Sequence, residues 1–317
     1  MAQFKLSLIG QSNLDVANTT IDTAVNKVFD SSYQTVWKDL FHVQPCAGTA
    51  LNMVAVDGLP QVREFTAALV HSNLRAYTKT VNLRKWEATF DLERELVDKD
   101  QSGVIGTRLA AFTSRLATMP DKIAWDMIDA NSITGYDGVA ALSASHPNVN
   151  GTTADNLETG ALTWAIMRTV QESMGDLTDE NGEPLDINPK TLIVGEELRR
   201  LALEQAGPLR PAMIGNSAGQ IDTGTGVAVF GFENYDGTNL TVKIWKRMRN
   251  SEYLFADTSK SGLKPYCFAE FQKFTLLSQT TEASDAVYER DTYSWSARGW
   301  YSPVPMAWQL VHGSVTD

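Results

Sequence analysis

Residues 103–130 read GVIGTRLAAFTSRLATMPDKIAWDMIDA, and this stretch decides the fold. Ile105, Leu109, Phe112, Leu116, Met119, Ile123 and Met127 recur at steps of three and four, the spacing of one helix face. The stripe predicts a helix of about seven turns, near 40 Å long at ~1.5 Å per residue. Ser102 offers an N-cap oxygen. Pro120 falls inside the stripe, where it removes a backbone donor and crowds the carbonyl of Leu116. The phase survives the proline, so a kink is expected over a full restart, with Thr118 offering a cap and Asp121 near a new N-terminus.

Upstream the pattern changes to period two. Asp57-Gly58-Leu59-Pro60 is turn chemistry, after which Phe65, Ala67 and Leu69 alternate with their neighbours. Beyond His71-Ser72-Asn73, Trp86, Ala88, Phe90 and Leu92 alternate with Glu87, Thr89, Asp91 and Glu93. Together the runs predict a long two-stranded hairpin. Such a ribbon is marginal alone in water, so it must lie on its own domain or on another subunit. Before it, Ile21 to Phe41 carries a broken helical pattern interrupted by Asp30-Ser31-Ser32, read as two short amphipathic helices in an N-terminal arm.

Downstream, Asn131 to Gly151 is loop-like. A second helix is expected from Leu157 to Met174, with Leu162, Ile166 and Val170 inward and Gly175 ending it. Thr191 to Val194 reads as a short buried strand and Glu196 to Gln205 as a helix, an α/β unit. Residues Gly207 to Gly226 form a loop rich in Gly, Ser, Thr and Pro. Strands then follow at Val227 to Phe232, Leu240 to Lys246, Tyr253 to Ala256, Tyr266 to Leu277 and Tyr293 to Leu310. The class is α+β.

The chain of 317 residues can bury a sizeable core, and 43% hydrophobic with 21% charged residues argues against wholesale disorder. A net charge of −11 disfavours high-affinity nucleic-acid recognition, although an acidic wall can line a container of DNA. Cys46 and Cys267 form no CxxC pair and read as reduced thiols. Neither a signal peptide nor an apolar run of membrane length is expected, so the chain reads as made soluble in the cytoplasm.

Catalytic signals are sparse. His42, His71, His146 and His312 show no metal-ligand spacing, and there is no GxSxG elbow. Gly224-Thr225-Gly226 lacks the lysine of a phosphate loop. Asp91, Glu93, Glu95, Asp98 and Asp100 lack the order of a calcium loop and read as solvated charges near a helix N-terminus. Lys243, Trp245 and Arg247 are expected on one face of a half-exposed strand at a subunit contact. The aromatics between Tyr288 and Trp308 fit either a core or an interface. No enzyme, cofactor or metal is expected.

The order of elements, an arm, a hairpin, a long helix, an α/β insertion and returning strands, resembles the Hong Kong 97-type phage capsid fold. Local sequence adds to it. Gly58-Leu59-Pro60 with Arg63-Glu64-Phe65, Trp86 to Phe90 leading into Glu93 to Asp98, Met119-Pro120-Asp121, Tyr136-Asp137-Gly138 and His146-Pro147 are similar to the Mu-like major head subunit (gpT) family. The similarity covers Trp37 to Pro147 and continues more loosely to Gln205. It implies an N-terminal arm over 1–50, an extended hairpin loop over 51–95, a peripheral domain with its spine helix over 96–156, an axial domain over 157–280, and C-terminal strands over 281–317 returning to the peripheral domain. It also implies a bacteriophage or prophage major capsid protein, assembling with itself as hexamers and pentamers of an icosahedral shell around double-stranded DNA. A separate scaffolding protein, a maturation protease, a portal and a decoration protein would be its partners, and the virion its location. Arg63, Arg75, Lys79 and Arg84 are expected to pair with acidic residues of a neighbour, with Trp86, Trp37 and Phe41 as further contacts. An encapsulin-like nanocompartment shell and a soluble α/β enzyme are the competing readings.

Overall fold

The computed structural model describes residues 36–57, 75–95, 104–147, 153–178, 183–206, 209–211, 231–233, 240–249, 251–260, 263–280 and 284–315. The expected helices before Val36, the run at Phe65 to Leu69 and the loop tip between 212 and 230 lie outside these residues.

In chain order, a short helix α1 (Trp37–Leu40) leads into β1 (Phe41–Pro45), β2 (Ala50–Asp57), β3 (Arg75–Asn82) and β4 (Arg84–Glu93). Phe41 therefore lies in a strand, not in a helix of the arm. Helices α2 (Val104–Ala117) and α3 (Met119–Ala130) follow, then the small pair β5 (His146–Pro147) and β6 (Thr153–Ala154) and helix α4 (Trp164–Gly175). Next come β7 (Thr191–Val194), α5 (Arg199–Ala206), β8 (Leu209–Pro211), β9 (Gly231–Glu233), β10 (Thr241–Ile244) and β11 (Tyr253–Ala256). The chain ends with β12 (Tyr266–Gln279), α6 (Asp285–Arg290), β13 (Thr292–Pro305), a 3₁₀ turn (Trp308–Leu310) and β14 (Val311–Ser314).

The long stripe forms two helical segments that meet at Thr118, whose own backbone stays right-handed at φ −87°, ψ −6°. The Thr118 hydroxyl donates to the carbonyl of Arg115 and leaves the new N-terminus without a side-chain cap. Pro120 sits in the first turn of α3, where its missing N–H costs nothing, and Asp121 stands beside it. Asn131 ends α3 in the left-handed region at φ 40°. In α4, Thr163 caps by accepting from the Ile166 N–H at 3.3 Å.

Two four-stranded sheets organise the rest. The first runs β1-β12-β13-β4 and the second β10-β7-β11-β14. This corrects the expected hairpin. Its strands are β2 and β3, paired from Ala50↔Asn82 to Asp57↔Arg75. The Trp86 to Leu92 run leaves the ribbon and pairs with β13, with Trp295 opposite Phe90. The sheets also cut across the expected segments. β12 belongs to the first sheet, and β14 crosses into the second.

Helix α3 is the element both sheets share. Its Ile123, Ala124, Trp125, Met127 and Ile128 are buried in one cluster with Phe268, Phe274 and Tyr301 of the first sheet and Ile193 and Leu254 of the second. The opposite face of the second sheet, with Leu192, Val194 and Phe255, packs on Met167, Val170 and Ala202 of α4 and α5. Covered on both sides, β7 and β11 are apolar at nearly every position.

Candidate assembly surfaces and the subunit joint

The paired strands of the ribbon rest on the chain's own body. Val81, Cys267 and Val304 share an apolar cluster with Leu51, Met53 and Met306 packed against it. Lys79 Nζ donates to Thr134 Oγ1 at 2.8 Å, and the rings of Tyr77 and Tyr136 lie 6.1 Å apart. The other face carries Asn52, Thr78, Thr80 and Asn82, all exposed. A cavity of about 250 Å³ opens between this base and the first sheet, lined by His42, Asn52, Lys79 and Met306 among others.

The candidate contact residues separate into groups. Arg63 lies outside the described residues. Arg75 opens β3 opposite Asp57, and Arg84 is exposed on β4. Lys79 is half-buried and held by Thr134, and half-buried Trp86 packs against the main core. Trp37 and Phe41 are buried among Phe268 and Tyr266, 4.9 and 5.0 Å away between ring centres. They serve this chain's own core, and contact with a neighbour would require them to leave it.

The basic segment after β10 is a clear correction. The strand stops at Ile244, and Trp245 turns inward to 3% exposure. Lys243 Nζ reaches Asp39 at 2.7 Å, Arg247 pairs with Asp121, and Arg249 pairs with Asp129 at 2.9 Å. The expected subunit-contact face is thus a set of ties from the second sheet to α1 and α3. Carboxylates 120 or more positions away in the chain neutralise these charges, which spacing alone does not reveal.

A buried polar hub ties the loop after α3 to the 3₁₀ turn and the start of β14. Asn156 Nδ2 donates to the carbonyls of Ala141 (2.9 Å), Trp308 (3.3 Å) and Val311 (3.1 Å). Its Oδ1 accepts from the Ser143 N–H at 2.7 Å and faces His146 Nε2 at 3.1 Å. His146 Nδ1 lies 2.7 Å from Asp137 Oδ2, and the imidazole stacks on Trp308 at 4.2 Å, nearly parallel. His146 and Asp137 were visible in the sequence as turn residues; nothing marked Asn156.

Burial dominates the titration of the interior. It pushes the phenols of Tyr253, Tyr266 and Tyr301 upward, with Glu158 adding to the effect at Tyr253 and Glu270 at Tyr301. The Tyr301 hydroxyl accepts the Phe274 N–H at 2.9 Å, beside irregularities in the β12–β13 ladder. The Glu270 carboxyl is raised by burial, against the pull of Lys273. Among the described residues no three His, Cys, Asp or Glu side chains gather as metal ligands, and no helix is long and apolar enough to cross a membrane.

The aromatic stretch resolves into core and surface. Tyr293, Trp295, Tyr301 and Trp308 are buried, while Tyr288 on α6 is 86% exposed. Leu277 and Phe271 on β12 are also exposed, a surface that sequence periodicity did not single out.

This architecture is the Hong Kong 97-type capsid fold. It is similar to the subunit in the procapsid of bacteriophage JBD30, with TM-score 0.56 and 16% identity, covering 98% of this chain and 77% of that one. The decorated JBD30 capsid, which carries minor capsid protein trimers, gives TM-score 0.50 and 10% identity over 89% and 64% of the two chains. The capsid of an empty GTA particle gives 0.53 and 11% over 89% and 90%. A search of curated proteins finds no match. Residues 76–311 match the model of the phage capsid protein family, well over half of the chain, and the chain belongs to that family. Its function is that of a major capsid protein, a component of the virion.

Proposed function

We propose that this chain is a Mu-like major head subunit of the gpT type, which assembles with itself into the hexamers and pentamers of an icosahedral shell around double-stranded DNA. The observation that carries this reading is the β2–β3 ribbon. Its base is anchored by Val81, Leu51 and Met53, whereas Asn52, Thr78, Thr80 and Asn82 on its other face are exposed. In this reading the ribbon is the extended loop that lies over a neighbour, and Arg63, Arg75, Lys79 and Arg84 meet acidic residues there. Many modest contacts of this kind add up through multivalency.

The second sheet with α4 and α5 would be the axial domain, from about residue 157 to the end of β11 with β14 returning to it, and α2, α3 and the first sheet the peripheral domain. Sheet membership supports that division. The role is structural, with no catalytic residue assigned. A separate scaffolding protein, a maturation protease and a portal are the proposed partners, with assembly in the host cytoplasm. The trimers on the JBD30 capsid support a decoration protein as a further partner.

Negative-stain microscopy of the purified chain, alone and with its scaffolding protein, tests the proposal. Closed shells or ring-shaped capsomers are the expected result. Monomers under both conditions would refute self-assembly.

A further inference from the structure

After β13 the chain passes from the first sheet to the second through the 3₁₀ turn and β14. The 155–158 loop is fastened to the end of that path. The Glu158 N–H donates to the Gly313 carbonyl at 2.8 Å, and the Gly313 N–H donates to the Asn156 carbonyl at 3.1 Å. Between these bonds lies His312, opposite Phe255 on β11 and only 3% exposed.

The surroundings of His312 are unusual for a buried imidazole. Its Nε2 makes no hydrogen bond among the described residues. The nearest carboxylate oxygen, Glu158 Oε1, stands 3.4 Å away on a side chain that is itself part-exposed. It is close enough to favour a charged ring. Asp155 acts on the ring from the same loop. From β11, Tyr253 presents a hydroxyl committed to the Gly160 carbonyl, and Asp257 at the strand's end is taken by the Asn188 and Ser259 N–H groups. Behind Asn156 stands the His146–Asp137 pair.

We propose that this seam is a proton-released latch between the 155–158 loop and the second sheet. With His312 neutral, the ring packs under β14 and the loop stays bonded to Gly313. A second proton on the ring places a positive charge in a buried site beside Glu158. Glu158 must then turn inward, or water must enter, and either movement strains the bonds at Glu158 and Gly313.

The sign follows from burial. Burial pushes His312 below the ordinary histidine value of 6.5, against the opposing pull of Glu158 and Asp155. The folded chain therefore binds fewer protons than the unfolded one just below that value, and stability falls as pH drops through this range. Above it the ring is neutral in both states and the latch holds.

Hydrogen exchange on the full chain tests the latch. Protection of the Glu158 and Gly313 amides, corrected for intrinsic rates, should fall about tenfold between about pH 7.5 and about pH 5. Amides of the β12–β13 ladder should keep theirs, which separates release of the seam from global unfolding. In His312→Gln the fall should vanish. In Glu158→Gln the carboxylate that favours the charged ring is gone, so release should move to lower pH. The proposal is overturned if His312→Gln keeps the wild-type profile. It is overturned equally, even where His312→Gln does not fold, if release in Glu158→Gln stays in place or moves upward.

Discussion

Trp245 donates its indole N–H to Asp121 Oδ1 at 2.9 Å, joining the turn after β10 to the first turn of α3. The same carboxylate takes the Arg247 guanidinium on its other oxygen. One acidic side chain thereby holds the second sheet against the helix both sheets share.

Asp121→Ala should lower stability by about 2 kcal/mol, because a buried indole N–H and a part-buried cation lose their acceptor together. Asp121→Asn should lose less, since the amide oxygen still accepts from Trp245. Urea unfolding followed by tryptophan fluorescence reads both midpoints.

Asn156→Ala should be more damaging, by about 3 kcal/mol or more, since it takes the acceptor from the Ser143 N–H, empties the space facing buried His146 and removes the donor from three carbonyls. The contrast with an exposed control such as Asn82→Ala, expected within about 0.5 kcal/mol, checks that burial is the cause. Thermal unfolding of the two variants measures the difference.

Gly313 permits a close backbone approach in the second sheet. A Cβ there would sit 2.3 Å from the Tyr253 carbonyl oxygen and 2.9 Å from the Leu254 Cα. Gly313→Ala should separate β11 from β14 and leave little soluble protein. Gly48→Ala, with nothing within 4 Å, should be tolerated. Yields of soluble protein from parallel expressions decide it.

Thiol labelling should distinguish the two cysteines. Cys267 is buried and its pKa is pushed up to about 11, so it should stay unlabelled until the chain unfolds. Cys46 is partly exposed, with a more modest rise from burial, and should react first and faster as pH increases. A timed reaction with a chromogenic disulfide at about pH 8 counts one fast thiol per chain.

Arg75→Glu with Lys79→Glu should prevent normal shells while leaving the subunit folded, given that Lys79 contributes one hydrogen bond to Thr134 within the chain. Sedimentation and circular dichroism on the same sample read assembly and folding separately. Normal shells from the double variant would remove these residues from the interface.

Much of the local structure was legible because it is written in periodicity. The three-and-four stripe marked α2 and α3, and the apolar runs at Thr191 to Val194 and Tyr253 to Ala256 marked strands covered on both faces. Pairing was harder. A period-two run such as Trp86 to Leu92 announces a strand with one buried face, yet says nothing about which strand lies beside it. Its partner, β13, begins at Thr292. The polar sites failed for the same reason. Lys243 and Asp39, or Asn156 and Val311, become neighbours only through the fold, so no spacing rule could join them.

The first sheet sets a schedule for the nascent chain. β1 and β4 are made early, but every partner they have in that sheet lies in β12 and β13. At ~5–20 residues per second, ribosomes need roughly 10–40 s to translate the intervening stretch. Until then the early strands wait with open edges, and no unfinished chain presents the completed sheet. A shell built from such subunits draws only on chains translated almost to their last strand.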